Sequence, residues 1–307
     1  METPQSAIEI DVQRGNAAAD LLHRAFSTTG IHGHTEMPED ILPTGVSSGS
    51  LEHLLFITLT VAIDYQRDAI GLWRSSRVTF EDPRTRYLFD PQALHEAAFS
   101  KIIADMQRHG LSKKPERDAR TWQTIGVTFF KKWSGNPRRL LADAGWDAPT
   151  VLKRLRRDTH TQRGRAVPDF PFLRGPKIGP LWLRMLRDNV GIADLKVMDQ
   201  VPIPVDIHVA RASLCLGVVK GRFNGPLPEL FEHIRSAWFQ SVKGLHVRDR
   251  AMIALDMDEP LWHMSKYGCS KRDRTTRMCP ARDSCEAKDF CVAGTIQVSS
   301  NTVEMDT

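Results

Sequence analysis

The sequence predicts an all-α protein, and three observations carry that prediction. Apolar residues recur at helical spacing through most of the chain, strand-like alternation is scarce, and prolines and glycines fall where helices start and stop. With 41% hydrophobic and 26% charged residues over 307 positions the chain can bury a core, and its length predicts two domains. No apolar run is long enough to span a bilayer, and METPQSAIEI has neither the basic start nor the apolar stretch of a signal peptide, so a cytoplasmic protein with no membrane partner is expected.

Taken in order, SLEHLLFITLTVAI (Ser50 to Ile63) is apolar nearly all round, with Ser50 as N-cap and Glu52 in the first turn, and predicts a buried central helix. Amphipathic segments follow at Asp90 to Arg108, Lys114 to Trp133, Pro137 to Ala144 and Thr150 to Arg157. GPKIGPLWLRMLRDNVG (Gly175 to Gly191) places Pro180 in a first helical turn, which tolerates it, and Gly191 where a C-terminal cap wants it. In VPIPVDIHVARASLCLG two prolines forbid helix before Asp206, Asp206 opens the next helix, and Gly217 closes it. The polar stretch after Gly294, TIQVSSNTVEMDT, is expected to be a flexible tail over 296–307.

Charge is uneven. The chain nets +5 with a pI near 9.0. Residues 151–166 hold six basic side chains against Asp158, and residues 266–282 hold six against Asp273. Each stretch is either a solvated face or a phosphate-binding surface.

Four of the five cysteines lie in CSKRDRTTRMCPARDSCEAKDFC, at Cys269, Cys279, Cys285 and Cys291, while Cys215 stands apart in an apolar helical pattern and is expected in the core. In a reducing compartment, clustered thiols argue for metal ligation rather than disulfides. Zinc ligands usually sit two to four residues apart on tight knuckles; intervals of nine, five and five favour the wider cage of an iron-sulfur cluster over zinc. Two further features carry chemistry. In LRGPKIGPLWLRML, Gly179 can let a phosphate approach free amides at a helix N-terminus. Asp206, read alone, is a structural N-cap.

Together these segments resemble the helix-hairpin-helix base-excision DNA glycosylases of the endonuclease III type. The resemblance runs over roughly residues 50–291 and is carried in family order by LEHLLFITLTVAIDYQRDA, LSKKPERDARTW, RGPKIGPLWLRML, PVDIHVAR and LWHMSKYGC leading into the cysteine loop. It implies a two-domain fold: a six-helix domain over 50–192 ending in the hairpin, and a cluster-bearing domain made by 1–49 with 193–295. It also implies a 4Fe-4S cluster on the four loop cysteines. The family spacing is Cys-x6-Cys-x2-Cys-x5-Cys, so the last interval matches and the first two are longer here.

The same resemblance implies that Asp206 is the catalytic carboxylate, with His208 in a packing or hydrogen-bonding role. It makes Lys177, Gly179, Arg272, Arg274 and Arg277 contacts to double-stranded DNA. It makes Tyr65 or Gln66 the residue that fills the gap left by a flipped base. Bifunctional members carry a lysine two residues after the second hairpin glycine; here that position is Leu181, and Lys177 stands in the first glycine's place. Leucine cannot form an imine, so the implied activity is a monomeric, nucleoid-associated, monofunctional glycosylase, with Lys177 and Lys196 the remaining candidates for a lyase amine. The competing expectations are a non-catalytic DNA-binding protein on the same scaffold and a zinc-stabilised interaction protein.

Overall fold

A computed structural model describes residues 7–307, and the chain closes into two units, one of Met37–Val201 and one of Pro202–Thr307 with the N-terminal segment through Glu36. The helical architecture expected from the sequence is present, with twelve α-helices among the described residues, none of them long and apolar enough to cross a membrane.

The N-terminal segment contributes β1 (Ala7–Ile10) and α1 (Val12–Thr28), the latter capped by Asp11, whose carboxylate accepts from Arg14 N at 3.0 Å. The unit of residues 37–201 holds eight helices: α2 (Leu51–Val61), α3 (Ala69–Glu81), α4 (Pro91–Glu96), α5 (Phe99–Arg108), α6 (Pro115–Trp133), α7 (Pro137–Asp143), α8 (Ala148–Arg157) and, after a hairpin of β2 (Thr159–Gln162) and β3 (Arg165–Pro168), α9 (Ile178–Asp188). Ser50 caps α2 as its sequence suggests, accepting from His53 N at 3.1 Å, and the helix is buried from His53 to Val61. The single amphipathic segment expected over 90–108 is two helices. Gln123 on α6 donates to Leu94 O at 3.1 Å and Ala97 O at 3.3 Å, which satisfies the carbonyls at the break.

Trp73, Trp122 and Trp182 are fully buried in this unit, with Trp122 donating to Leu88 O at 2.5 Å and Trp182 to Thr58 Oγ1 at 3.0 Å. Arg184 of α9 is also inside, paired with the buried Glu39. Two ions out of water at one site make each the other's indispensable partner.

In the other unit, α10 (Ile207–Cys215) leads into β4 (Val219–Pro226), then α11 (Phe231–Ser241), the short pair β5 (His246–Val247) and β6 (Arg250–Ala251), and α12 (Asp258–His263). The cysteine loop follows as single turns. The chain ends in β7 (Thr295–Val298) and β8 (Thr302–Asp306), which complete an antiparallel sheet of order β1-β4-β8-β7. The flexible tail expected over 296–307 is thereby corrected. Ile296, Val303 and Met305 are buried on one face and belong to the hydrophobic core of this unit, so alternate apolar residues of a polar-looking segment face a core. Gly221 (φ 115°) permits the pairing at the other edge, since a Cβ there would lie 2.0 Å from Ala7 O.

His263 at the end of α12 is fully buried among aromatic rings, 5.5 Å from Phe26, 5.7 Å from Tyr267 and 6.1 Å from His34 between centroids, and neither ring nitrogen has a hydrogen-bond partner. Burial, with a smaller contribution from His34, pushes its pKa down to about 4. The unfolded chain therefore takes up a proton between pH 6.5 and about 4 that the folded chain refuses, and stability is lost as pH falls through that window. Between pH 7 and pH 5 the wild type is expected to lose about 2 kcal/mol more unfolding free energy than His263→Phe. Urea titrations at the two pH values check this; equal losses would mean that His263 is not held neutral.

Candidate functional site

In the unit of residues 37–201 the segment after α2 meets the turn before α9. The Tyr65 and Phe172 rings lie 5.6 Å apart, and the Arg117 guanidinium stands 5.9 Å over the first and 4.8 Å over the second. Tyr65 is 40% exposed and Gln66 is exposed beside it. Gln66 (φ 52°) and Phe172 (φ 60°) both adopt the left-handed conformation, which costs a non-glycine residue and marks a segment held in place by its surroundings. Lys177, at the N-cap position of α9, approaches Asp64 Oδ2 at 3.9 Å.

Gly179 has a packing reason to be glycine. Its amide donates to Gly175 O at 3.1 Å, and a Cβ would lie 2.9 Å from Leu173 O and 3.0 Å from Leu152 Cδ2. The residue serves close packing of the turn. Leu181 is buried in α9, while Lys196 is an exposed residue whose backbone pairs with Trp146 and Ala148.

In the other unit, Asp206 is the N-cap of α10. Its Oδ1 accepts from His208 N at 2.8 Å and Val209 N at 3.0 Å, and the residue is half-buried. Non-helical backbone from Pro202 to Val205, where Pro202 and Pro204 disfavour helix, leads the carboxylate to the helix start, where the amide dipoles favour its charge. His208 packs inward: Nδ1 lies 3.2 Å from Ser265 Oγ, which also accepts from Arg211 at 3.3 Å.

The four loop cysteines and Cys215 are all free thiols. Cys215, expected only as a core residue, interacts with the Cys269 thiol; the interaction lowers the Cys215 pKa and, with burial, raises that of Cys269 well above the usual thiol value. Val292 N donates to Cys215 O at 3.0 Å, which pins the end of the loop to α10. Nothing in the sequence connects Cys215 to residues more than fifty positions away. Burial, then the charge of Glu286, pushes the Cys285 thiol up to about 11, and burial raises Cys279. Unassisted, these sulfurs stay protonated at neutral pH; a bound cation is what would ionise them. Among the described residues, the donors gathered within 4.8 Å of one another are His32, Cys285 and Glu286. Among the described residues, no three of the loop thiols come within 4.8 Å of one another.

The arginines of the loop divide. Arg272 is half-buried and turned inward, donating to Cys291 Sγ at 3.4 Å, Val292 O at 2.8 Å and Gly294 O at 3.1 Å. Arg274 and Arg277 are exposed.

Among solved structures, the chain is similar to that of an endonuclease III trapped as a covalent intermediate with DNA, an estranged-adenine complex. The likeness covers 90% of this chain and 97% of that one at 15% identity and a TM-score of 0.46. No protein-family model and no curated protein matches the chain. A likeness at that TM-score assigns no residue, so each role stands on the geometry given above.

Arg272 and Arg274 should therefore behave differently. Arg272→Gln is expected to speed labelling of the loop thiols by a disulfide reagent several-fold, because three bonds across the loop are lost. Arg274→Gln should leave thiol labelling unchanged. Equal labelling rates in the two variants would place Arg272 outside the loop's support.

Proposed function

We propose that the protein is a DNA glycosylase of base-excision repair, which hydrolyses the N-glycosidic bond of a flipped damaged, mismatched or modified base on double-stranded DNA, as a monomer and without a lyase step. The observation that carries this reading is Asp206: a half-buried carboxylate held at a helix start by two backbone amides, on the segment whose sequence resembles the catalytic motif of the glycosylases. Such a group is preorganised. It stabilises the cationic sugar as the C1′–N bond breaks, and it accepts the proton of the water that adds at C1′ while the base departs with the bonding pair. Leu181 removes the amine that would attack the sugar instead. Tyr65 and Gln66 are proposed to fill the vacated stack, and Lys177, Arg274 and Arg277 to meet phosphates.

The loop is proposed to hold a 4Fe-4S cluster on Cys269, Cys279, Cys285 and Cys291, in keeping with four free thiols on one loop at sequence intervals wider than those of zinc knuckles. When bound, the cluster orders the loop and takes no part in bond making. A second reading, a DNA-binding protein without catalysis, is favoured by one observation: capping α10 is by itself sufficient reason for an aspartate at 206.

Two experiments separate these readings. Protein purified anaerobically under iron-replete conditions is expected to be brown with about four irons per chain, and Cys279→Ser to lose colour and solubility together. Stoichiometric zinc without iron would sink the cluster. Asp206→Asn keeps an oxygen that can cap the helix but removes the charge, so folding and DNA binding should persist while base release falls by about a hundredfold or more. Wild-type product strands should break only after alkali, and borohydride should trap no covalent complex. Base release unchanged by the substitution, or absent from wild type on oxidised, deaminated, alkylated and mismatched duplexes, would leave the binding reading.

A further inference from the structure

The hairpin Thr159–Pro168 is not explained by the core. Its strands pair in register from Thr159 with Pro168 to Gln162 with Arg165, leaving Arg163 and Gly164 as a two-residue turn with φ of 50° and 74°. Two positive φ values are the requirement of a type I′ turn, whose first position is normally Asn, Asp or Gly. An arginine there raises the cost of the turn, and asparagine would make the same turn more easily. The turn geometry therefore gives no reason for Arg163.

The stem, by contrast, is firmly held. Asp169, fully buried, takes Lys132 Nζ at 2.5 Å and His160 Nδ1 at 2.8 Å, and its amide donates to Asp158 O at 3.1 Å. His160 and Val167, paired across the strands, are half-buried on one face, while Thr159, Thr161 and Ala166 leave the other face exposed and covered only by small side chains. Four residues per strand carry the turn about 13 Å along the ribbon.

The charge at the far end is unopposed. Arg163 and Arg165 are exposed, neither makes an ion pair or side-chain hydrogen bond among the described residues, and no acidic residue occurs from Thr159 to Pro168. Arg156 and Arg157 just before the hairpin have another reason to be there, since they lie in the last turn of α8, whose dipole favours cations. No such reason applies to the hairpin arginines. A thin ribbon of two strands, fixed at its base and cationic at its tip, suits a polyanion whose charges repeat along a surface.

We propose that the hairpin Thr159–Pro168 is a DNA-contacting arm whose Arg163 and Arg165 bind phosphodiester oxygens of the duplex. The arm rests on the reading of this protein as one that works on DNA. It supplies affinity at the backbone and does not read the base, because a guanidinium on a phosphate carries no sequence information.

The full-length protein, wild type and variants, is titrated against a fluorescein-labelled undamaged duplex over about 50–200 mM salt. Arg163→Gly is the informative substitution, because glycine meets the turn's φ without strain while removing the charge. The slope of log K against log salt should become shallower by about 0.9 for Arg163→Gly and by about 1.8 for Arg163→Gly with Arg165→Gln. The same loss should appear on lesion-bearing duplexes, and the melting temperature of Arg163→Gly should equal or exceed that of wild type. Unchanged slopes, a loss confined to one lesion, or a lower melting temperature for Arg163→Gly would each overturn the proposal. Duplex binding with the expected slopes but no base release would remove the glycosylase reading and leave the arm standing, whereas wild type that binds no duplex would remove both.

Discussion

The guanidinium of Arg14 ties together three segments far apart in the chain. From α1 it donates to Leu216 O at 2.5 Å, where α10 ends, and to Phe290 O at 2.6 Å, beside the last loop cysteine, with the Phe290 ring 5.6 Å away. A charged donor on two carbonyls is among the stronger hydrogen bonds a protein makes, and both carbonyls here belong to backbone that no helix or strand continues. The residues from Cys269 to Cys291 have only single turns of their own. Arg14 holds the Phe290 carbonyl from outside the loop, and Arg272 from within it reaches Cys291 Sγ and the Val292 and Gly294 carbonyls just beyond. Any metal centre built on this loop inherits its geometry from those bonds.

On the proposed reading, Asp206 serves a structural and a chemical demand together: its carboxylate accepts from Val209 N and His208 N at the helix start, and the same fixed charge would stabilise the reacting sugar. The cap makes the orientation inexpensive, since folding already requires it.

Arginine content turned out to be a poor guide to surface charge. Arg14, Arg184, Arg211 and Arg272 all have guanidinium groups engaged inside the protein, with Arg184 on buried Glu39 and Arg211 on Val298 O and Ser265. The basic run over 266–282 therefore presents fewer cations than it contains. The run over 151–166 divides too, with Arg154 paired to Asp158 while the hairpin arginines remain in solvent.

What the sequence by itself determined is what neighbouring residues decide. Ser50 and Asp206 as helix openers, with the amphipathic segments beginning at Asp90, Lys114 and Pro137, place helix starts through contacts within three or four residues, and helices begin at those positions or one residue after them. The four loop cysteines and Asp206 stand out as candidates for the same reason: they sit in short motifs. Tertiary structure alone decided the rest. Strands β7 and β8 are four and five residues long, too short and too polar to stand out, and become strands only because β4, some eighty residues earlier, offers its edge; the alternation of Val303 and Met305 gains meaning once that face meets a core. Cys215 joins the cysteine loop, and Arg272 leaves the surface, through contacts whose partners lie far along the chain or around a turn that local propensity does not specify. Local preference fixes where a helix begins, but which side chains meet depends on packing that no short window of sequence contains.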